Sequence, residues 1–182
     1  MVEPILKWAG GKRQLLSEIT ALFPTTYAEY HEPFVGGGAV FFDQSPDNGT
    51  INDLNTRLTT FYEIVRDQPD ALIVENKTHE HTEEYYYNAR SEFNALFSQS
   101  NLTRDERVRE ARLFLYLNRT CFNGLYRENS DGEFNVSFGQ YSNPDWVQEP
   151  RIRRVSRVLQ DTVVFNTDFS YVVDEASSGD LV

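Results

Sequence analysis

The chain of 182 residues predicts an α/β fold in which a parallel sheet is interrupted by a helical and hairpin insertion. Three observations predict it. Two glycine-centred boxes, Leu6-Lys7-Trp8-Ala9-Gly10-Gly11-Lys12 and Glu32-Pro33-Phe34-Val35-Gly36-Gly37-Gly38, sit where a chain must run its backbone against a ligand or turn sharply. The second box lies between two short strand patterns and opens a helical stretch, a βαβ beginning that requires parallel strands. A long run of helical periodicity and a hairpin signal then separate this opening from a third strand pattern.

Residues 11–23 predict an amphipathic helix with Leu15, Leu16, Ile19, Leu22 and Phe23 on one side and Pro24 closing it. A short strand is expected at 27–34, then a glycine turn into a helix through Val40, Phe41 and Phe42, then a strand at Thr50-Ile51-Asn52. Helical segments are predicted at 54–66, 69–76, 83–98 and 104–119. The last carries a capping box, Thr103 with Glu106, and an inner stripe of Val108, Ala111 and Leu115 that the stem of Arg112 can extend. Asp131-Gly132 between 125–129 and 133–138 marks a hairpin. A helix at 146–160, with Ile152, Val155 and Leu159 inward, leads to a strand at 162–165. The sheet-building residues are thus 1–55 and 145–182, with an inserted domain at 56–144. There is no internal repeat and no low-complexity tract.

A chain of this length can bury one good core, or one core with a smaller satellite. No apolar run is long enough to span a bilayer, and the start, Met1-Val2-Glu3-Pro4, lacks the pattern of a signal peptide, so a cytoplasmic location is expected. The single cysteine, Cys121, has no internal disulfide partner, which fits a reducing compartment. The net charge of −11 argues at first against a nucleic-acid partner. Its distribution argues otherwise: ten arginines stand against eight acids between 104 and 157, while the remainder holds seven bases against twenty acids. With only three lysines, the pattern also fits a halophilic, salt-rich cytoplasm, where screening shifts DNA recognition toward base contacts; an ordinary acidic surface is the plainer reading.

Neither familiar phosphate motif accounts for the boxes. A P-loop fails because Leu6 stands five residues before Gly11, and Arg13 occupies the place of the magnesium-binding Ser or Thr. A dinucleotide fingerprint fits poorly, since no glycine follows Gly37 by three residues. Asp53 does follow the second box at the spacing of a ribose contact.

Both boxes together resemble those of the Dam-like DNA adenine-N6 methyltransferases (D12 class, alpha group), and the resemblance runs the length of the chain. It implies an incomplete Rossmann-like S-adenosylmethionine methyltransferase sheet with an inserted target-recognition domain. Trp8 and Lys12 would line the methionine end of the cofactor, with Lys12 meeting its carboxylate. The stretch beginning at Phe34 would hold the cofactor, Gly36 and Gly38 admitting close backbone approach; Asp53 would accept the ribose hydroxyls, and Asp168-Phe169 would contact the adenine. Trp8 taken alone reads as a core aromatic. In the insertion, 115–127 and 132–139 resemble the family's recognition helix and hairpin. Phe122 would be a wedge filling the space of a displaced base in double-stranded DNA, with Asn123, Leu125, Arg127 and Lys7 facing base edges. Phe122 and Leu125 have a second reading as hairpin core. A GATC-like target follows from the hairpin resemblance, although Gln140 departs from the arginine of the family pattern.

Other candidates are weaker. Cys121 follows Thr120 rather than the proline of cytosine-C5 enzymes and reads as a buried thiol. His79 and His81 lack a third ligand of zinc type, and Tyr85-Tyr86-Tyr87 reads as packing. No metal is expected. The family's Asp-Pro-Pro-Tyr tetrad is absent, since no two of the seven prolines adjoin, so no catalytic residue is assigned. The resemblance therefore implies a chain cut before its tetrad, inactive alone, with an unfinished sheet edge and a C-terminal complement as partner. The rival readings are a non-catalytic or split-subunit DNA-binding protein and a nucleotide-dependent phosphotransferase.

Overall fold

In the computed structural model, residues 2–99 and 101–182 are described. Met1 of the start segment and Ser100 of the predicted insertion lie outside the described residues. The sheet holds three short strands, β1 (Tyr30–Glu32), β2 (Gly49–Asn52) and β3 (Thr162–Phe165), all parallel and in that order. The strand expected at 27–34 is shorter because Pro33 has no amide hydrogen for the ladder, and because Ala28 and Glu29 donate instead to Gly179 and Asp180. Leu181 lies along the outer edge of β1: its carbonyl accepts from His31 N at 2.8 Å and its amide donates to Glu29 O at 2.9 Å. At the other edge is β3, where Val163 is exposed.

The predicted helix at 11–23 is a 3-10 turn, Lys12–Leu15, running into α1 (Leu16–Thr20). No side chain caps its start, and only Leu16, Ile19 and Phe23 reach the core, while Leu15 and Leu22 face solvent. Beyond β1 the chain turns through Gly36 and Gly38, both at positive φ, into α2 (Ala39–Gln44). Four helices follow: α3 (Thr56–Asp67), α4 (Pro69–Asn76), α5 (Glu83–Phe97) and α6 (Arg104–Thr120). Asn55, Thr82 and Thr103 cap α3, α5 and α6, and the Thr103–Glu106 capping box is complete. Packed by α3, α4 and α5, α6 is buried nearly all round, so Leu113, Phe114, Tyr116 and Leu117 join the expected stripe. The hairpin closes through isolated bridges, Glu128 with Phe134 and Cys121 with Phe138, rather than continuous strands. Then α7 (Glu149–Leu159) buries Ile152, Val155 and Leu159 and leads to β3; α8 (Val172–Glu175) comes last.

One apolar core runs from Ile5, Phe41 and Ile51 through Phe61, Phe93 and Phe114 to Ile152, with no break at 55 or 145. Arg57 on α3 is buried in it, its guanidinium 4.1 Å from the ring centres of Phe93 and Phe97 and 3.8 Å from Glu128. The ring faces and the carboxylate replace hydration that the cation has lost.

His79 is buried against Tyr116, its ring centre 4.3 Å away, and its Nδ1 pairs with the Tyr85 hydroxyl. Burial, reinforced by the Arg112 charge, lowers its pKa from 6.5 to about 3. Below pH 6.5 the unfolded chain takes up a proton that the folded chain refuses, so stability falls as pH drops from 6.5 toward 3. At about 1.4 kcal/mol per unit, His79→Phe should reduce the stability lost between neutral and weakly acidic pH by up to about 3 kcal/mol, measured by urea unfolding.

Candidate functional site

The carboxyl ends of the parallel strands are tied together before any ligand is considered. Buried Asn52, the last residue of β2, donates through Nδ2 to Pro33 O at 3.1 Å and Thr167 O at 2.9 Å, and its Oδ1 accepts from Thr167 N at 2.9 Å. Next to it, Asp53 turns its carboxylate to the glycine turn: Gly36 N donates to Oδ2 at 3.1 Å and Asn55 N to Oδ1 at 3.0 Å. The Tyr62 hydroxyl donates to Gly36 O at 2.8 Å from behind.

Gly36 and Asp53 join Phe34, Gly37, Trp8, Gly10, Gly11 and Lys12 in lining a cleft of about 270 Å³. Trp8 and Asp53, far apart in sequence, share this cleft. Lys12 Nζ donates to Glu32 Oε1 and to Phe34 O, each at 2.9 Å. Burial pushes the Glu32 carboxyl up, while the Lys12 ammonium and the Tyr30 hydroxyl, 2.8 Å from Oε2, pull it back. Exposed Phe34 and Phe169 stand with ring centres 5.4 Å apart. Asp168 beside them accepts from Ser170 N at 3.0 Å, a bond that holds its carboxyl below the usual range. Gly38, Asp168 and Phe169 lie outside the lining; at Gly38, φ 73°, a Cβ would come within 2.4 Å of Phe42.

The other predicted contacts gather beyond Trp8. Phe122, Asn123 and Arg127 are exposed, and Leu125 is half-buried against the core. Asn123 is left-handed at φ 53°, and Arg127 is held by Asn135 Oδ1 at 2.8 Å. Lys7 places its ammonium 4.1 Å from the centre of the Tyr141 ring. A second cleft, of about 320 Å³, shares Trp8 and Gly37 with the first and is lined by Lys7, Arg13, Arg119 and Arg151, with Glu3 as the acid among them. Burial, and then the Arg151 charge, lower the pKa of Arg119.

Glu32, Asn52 and Tyr62 went unassigned in the sequence. Glu32 had a visible signal, an acid inside the second glycine box; Asn52 and Tyr62 act through the fold and had none. Among the described residues no group of three or more His, Cys, Asp or Glu side chains is placed to hold a metal, and no helix is long and apolar enough to cross a membrane.

A profile of the D12 class N6 adenine-specific DNA methyltransferases matches residues 8–182. The type II methyltransferase M1.LlaDCHI of Lactococcus lactis subsp. cremoris is 39% identical over all of this chain and 64% of its own length. The type II methyltransferase M.MjaIII of Methanocaldococcus jannaschii is 38% identical over 96% of this chain and 64% of its own length. The DNA adenine methylase of Haemophilus influenzae is 36% identical over 98% of this chain and 61% of its own length. The chain thus spans less than two thirds of these relatives. With its glycine turn, its cleft at the strand ends and this match across nearly every residue, the chain belongs to the D12 class N6 adenine-specific DNA methyltransferase family.

Proposed function

We propose that this chain is the cofactor-binding and DNA-recognising portion of an S-adenosylmethionine-dependent adenine-N6 DNA methyltransferase, working in the cytoplasm. One observation carries the reading: Trp8, Lys12, Gly36 and Asp53 line a single cleft at the carboxyl ends of parallel strands. Its donors and acceptors fit an amino-acid nucleoside. Lys12 spends two of its three ammonium donors on Glu32 and Phe34, leaving one for a carboxylate. Each Asp53 oxygen takes one amide bond and keeps acceptor capacity for a ribose hydroxyl. Phe34 and Phe169 present ring faces to a purine, with Asp168 as an acceptor beside them. S-adenosylmethionine would supply a methyl group on a positively charged sulfur.

Residues 56–144 are the target-recognition domain in this reading. Phe122 fills the gap left by a flipped adenine; Asn123, Leu125, Arg127 and Lys7 meet base edges. Arg127, steadied by Asn135, presents a fork suited to guanine, and the cluster of Arg13, Arg119 and Arg151 suits backbone phosphate. The adenine amino nitrogen is itself the nucleophile, so the protein has to supply acceptors for its hydrogens rather than an attacking side chain. No Asp-Pro-Pro-Tyr tetrad occurs in these 182 residues, so a complementing segment has to provide those acceptors.

Calorimetry with S-adenosylhomocysteine should give binding, weakened at least about tenfold by Asp53→Ala; no heat from the unaltered chain refutes the cofactor assignment. Arg127→Ala should lose about 1–3 kcal/mol of discrimination between target and non-target duplexes in competition binding. In a methyl-transfer assay the 182-residue chain should turn over only when a segment bearing the tetrad is added. Turnover without it removes the need for a complement, and none with it favours the non-catalytic reading.

A further inference from the structure

Trp8 is packed by two different parts of the chain. One is the glycine turn: a Cβ on Gly36 would sit 3.0 Å from the indole Nε1, and one on Gly37 would sit 2.7 Å from the Trp8 Cβ. The indole also stacks on Tyr126, with ring centres 5.3 Å apart and planes 19° from parallel. Tyr126 stands on the hairpin next to Arg127, turned inward against Phe114 and Phe134 while Arg127 is exposed. Its hydroxyl donates to Glu128. The residue before Trp8 is clamped to α6, which leads into the hairpin: Lys7 N donates to Asn118 Oδ1 at 2.9 Å, and Asn118 Nδ2 donates to Lys7 O at 2.7 Å. Gly124 closes the contact, since a Cβ there would lie 2.3 Å from the Lys7 side chain.

We infer that Tyr126 is a positioning residue that couples the two ligand sites: it sets the Trp8 wall of the cofactor cleft according to where the hairpin sits, so that duplex DNA and an S-adenosyl ligand strengthen each other's binding. The inference rests on the function proposed above. Tyr126 lines neither cleft, so replacing it severs the link without removing a ligand contact. Coupling of this kind is reciprocal, so the affinity of the smaller ligand reports it.

The test measures the dissociation constant of S-adenosylhomocysteine with and without saturating, unmethylated, mixed-sequence duplex DNA. DNA should tighten binding to the unaltered chain at least about fivefold. Tyr126→Phe keeps the ring and should keep that ratio. Tyr126→Leu should bring the ratio below about twofold while leaving affinity in the absence of DNA within about threefold. Tyr126→Met carries the same expectation and replaces Tyr126→Leu if circular dichroism finds the latter unfolded. A Tyr126→Leu or Tyr126→Met chain that retains the full ratio overturns the inference, and so does one that loses affinity equally with and without DNA, the mark of a merely structural role. An unaltered chain that binds both ligands with no ratio overturns the coupling and leaves the proposed function standing. One that binds neither removes both.

Discussion

Trp8 packed against the glycine turn is the contact around which both clefts are shaped. An indole lying flat on a backbone turn leaves no volume for side chains beneath it. Gly36 and Gly37 are therefore required by Trp8 first, and by any ligand only afterwards. Gly38 is required by Phe42 and by its own left-handed φ. The cleft wall is thus an aromatic ring held in place from behind, a more rigid surface than a loop of glycines would give. Its rigidity depends on the Asn118 clamp on Lys7, which satisfies both backbone groups of a residue that has no strand or helix neighbour to do so.

Charge is arranged to similar effect. A chain with a net charge of −11 repels DNA at long range, yet within about a Debye length local charges decide the interaction. The cluster of Lys7, Arg13, Arg119 and Arg151 beside Trp8 has Glu3 alone as an acid in its lining. The buried ions of the core work differently. Glu32 is held by Lys12 and Tyr30, and removing either would strand a carboxylate away from water. Arg57 lies between two phenylalanine rings near Glu110, whose carboxyl is pushed up by burial and drawn down by Arg57. These pairs join elements distant in sequence, Arg57 on α3 with Glu128 on the hairpin among them.

Much of this was legible from local pattern. The helix 69–76 and the strand 162–165 occupy the predicted residues, because a proline at the first turn and an unbroken β-branched run are signals complete within a few positions. The two glycine boxes and Asp53 pointed to one cleft; Trp8, Lys12, Gly36 and Asp53 line it, while Gly38 falls outside. The helix at 11–23 was misjudged because periodicity marks which residues share a face but not whether a core lies opposite; Leu15 and Leu22 have none. The stack on Tyr126 was invisible for another reason. A tyrosine between Leu125 and Arg127 in a recognition hairpin carries no mark of which way it faces, and the partner that decides it lies more than a hundred residues away.

Asn52 illustrates how the sheet orders chemistry that its strands do not perform. A polar side chain at the end of a buried strand is costly unless its groups are paired, and here both the amide nitrogen and the carbonyl oxygen are paired across neighbouring segments. An apolar residue of the same size would pack there, but it would leave Pro33 O and the backbone of Thr167 without these partners and free the two loops that carry Phe34 and Phe169. The rings of those loops, their centres 5.4 Å apart, touch above a hydrogen-bonded staple that ties the two loops together. A shift in strand register would break every bond of that staple at once, so the residue that positions this aromatic pair also fixes the alignment of the sheet.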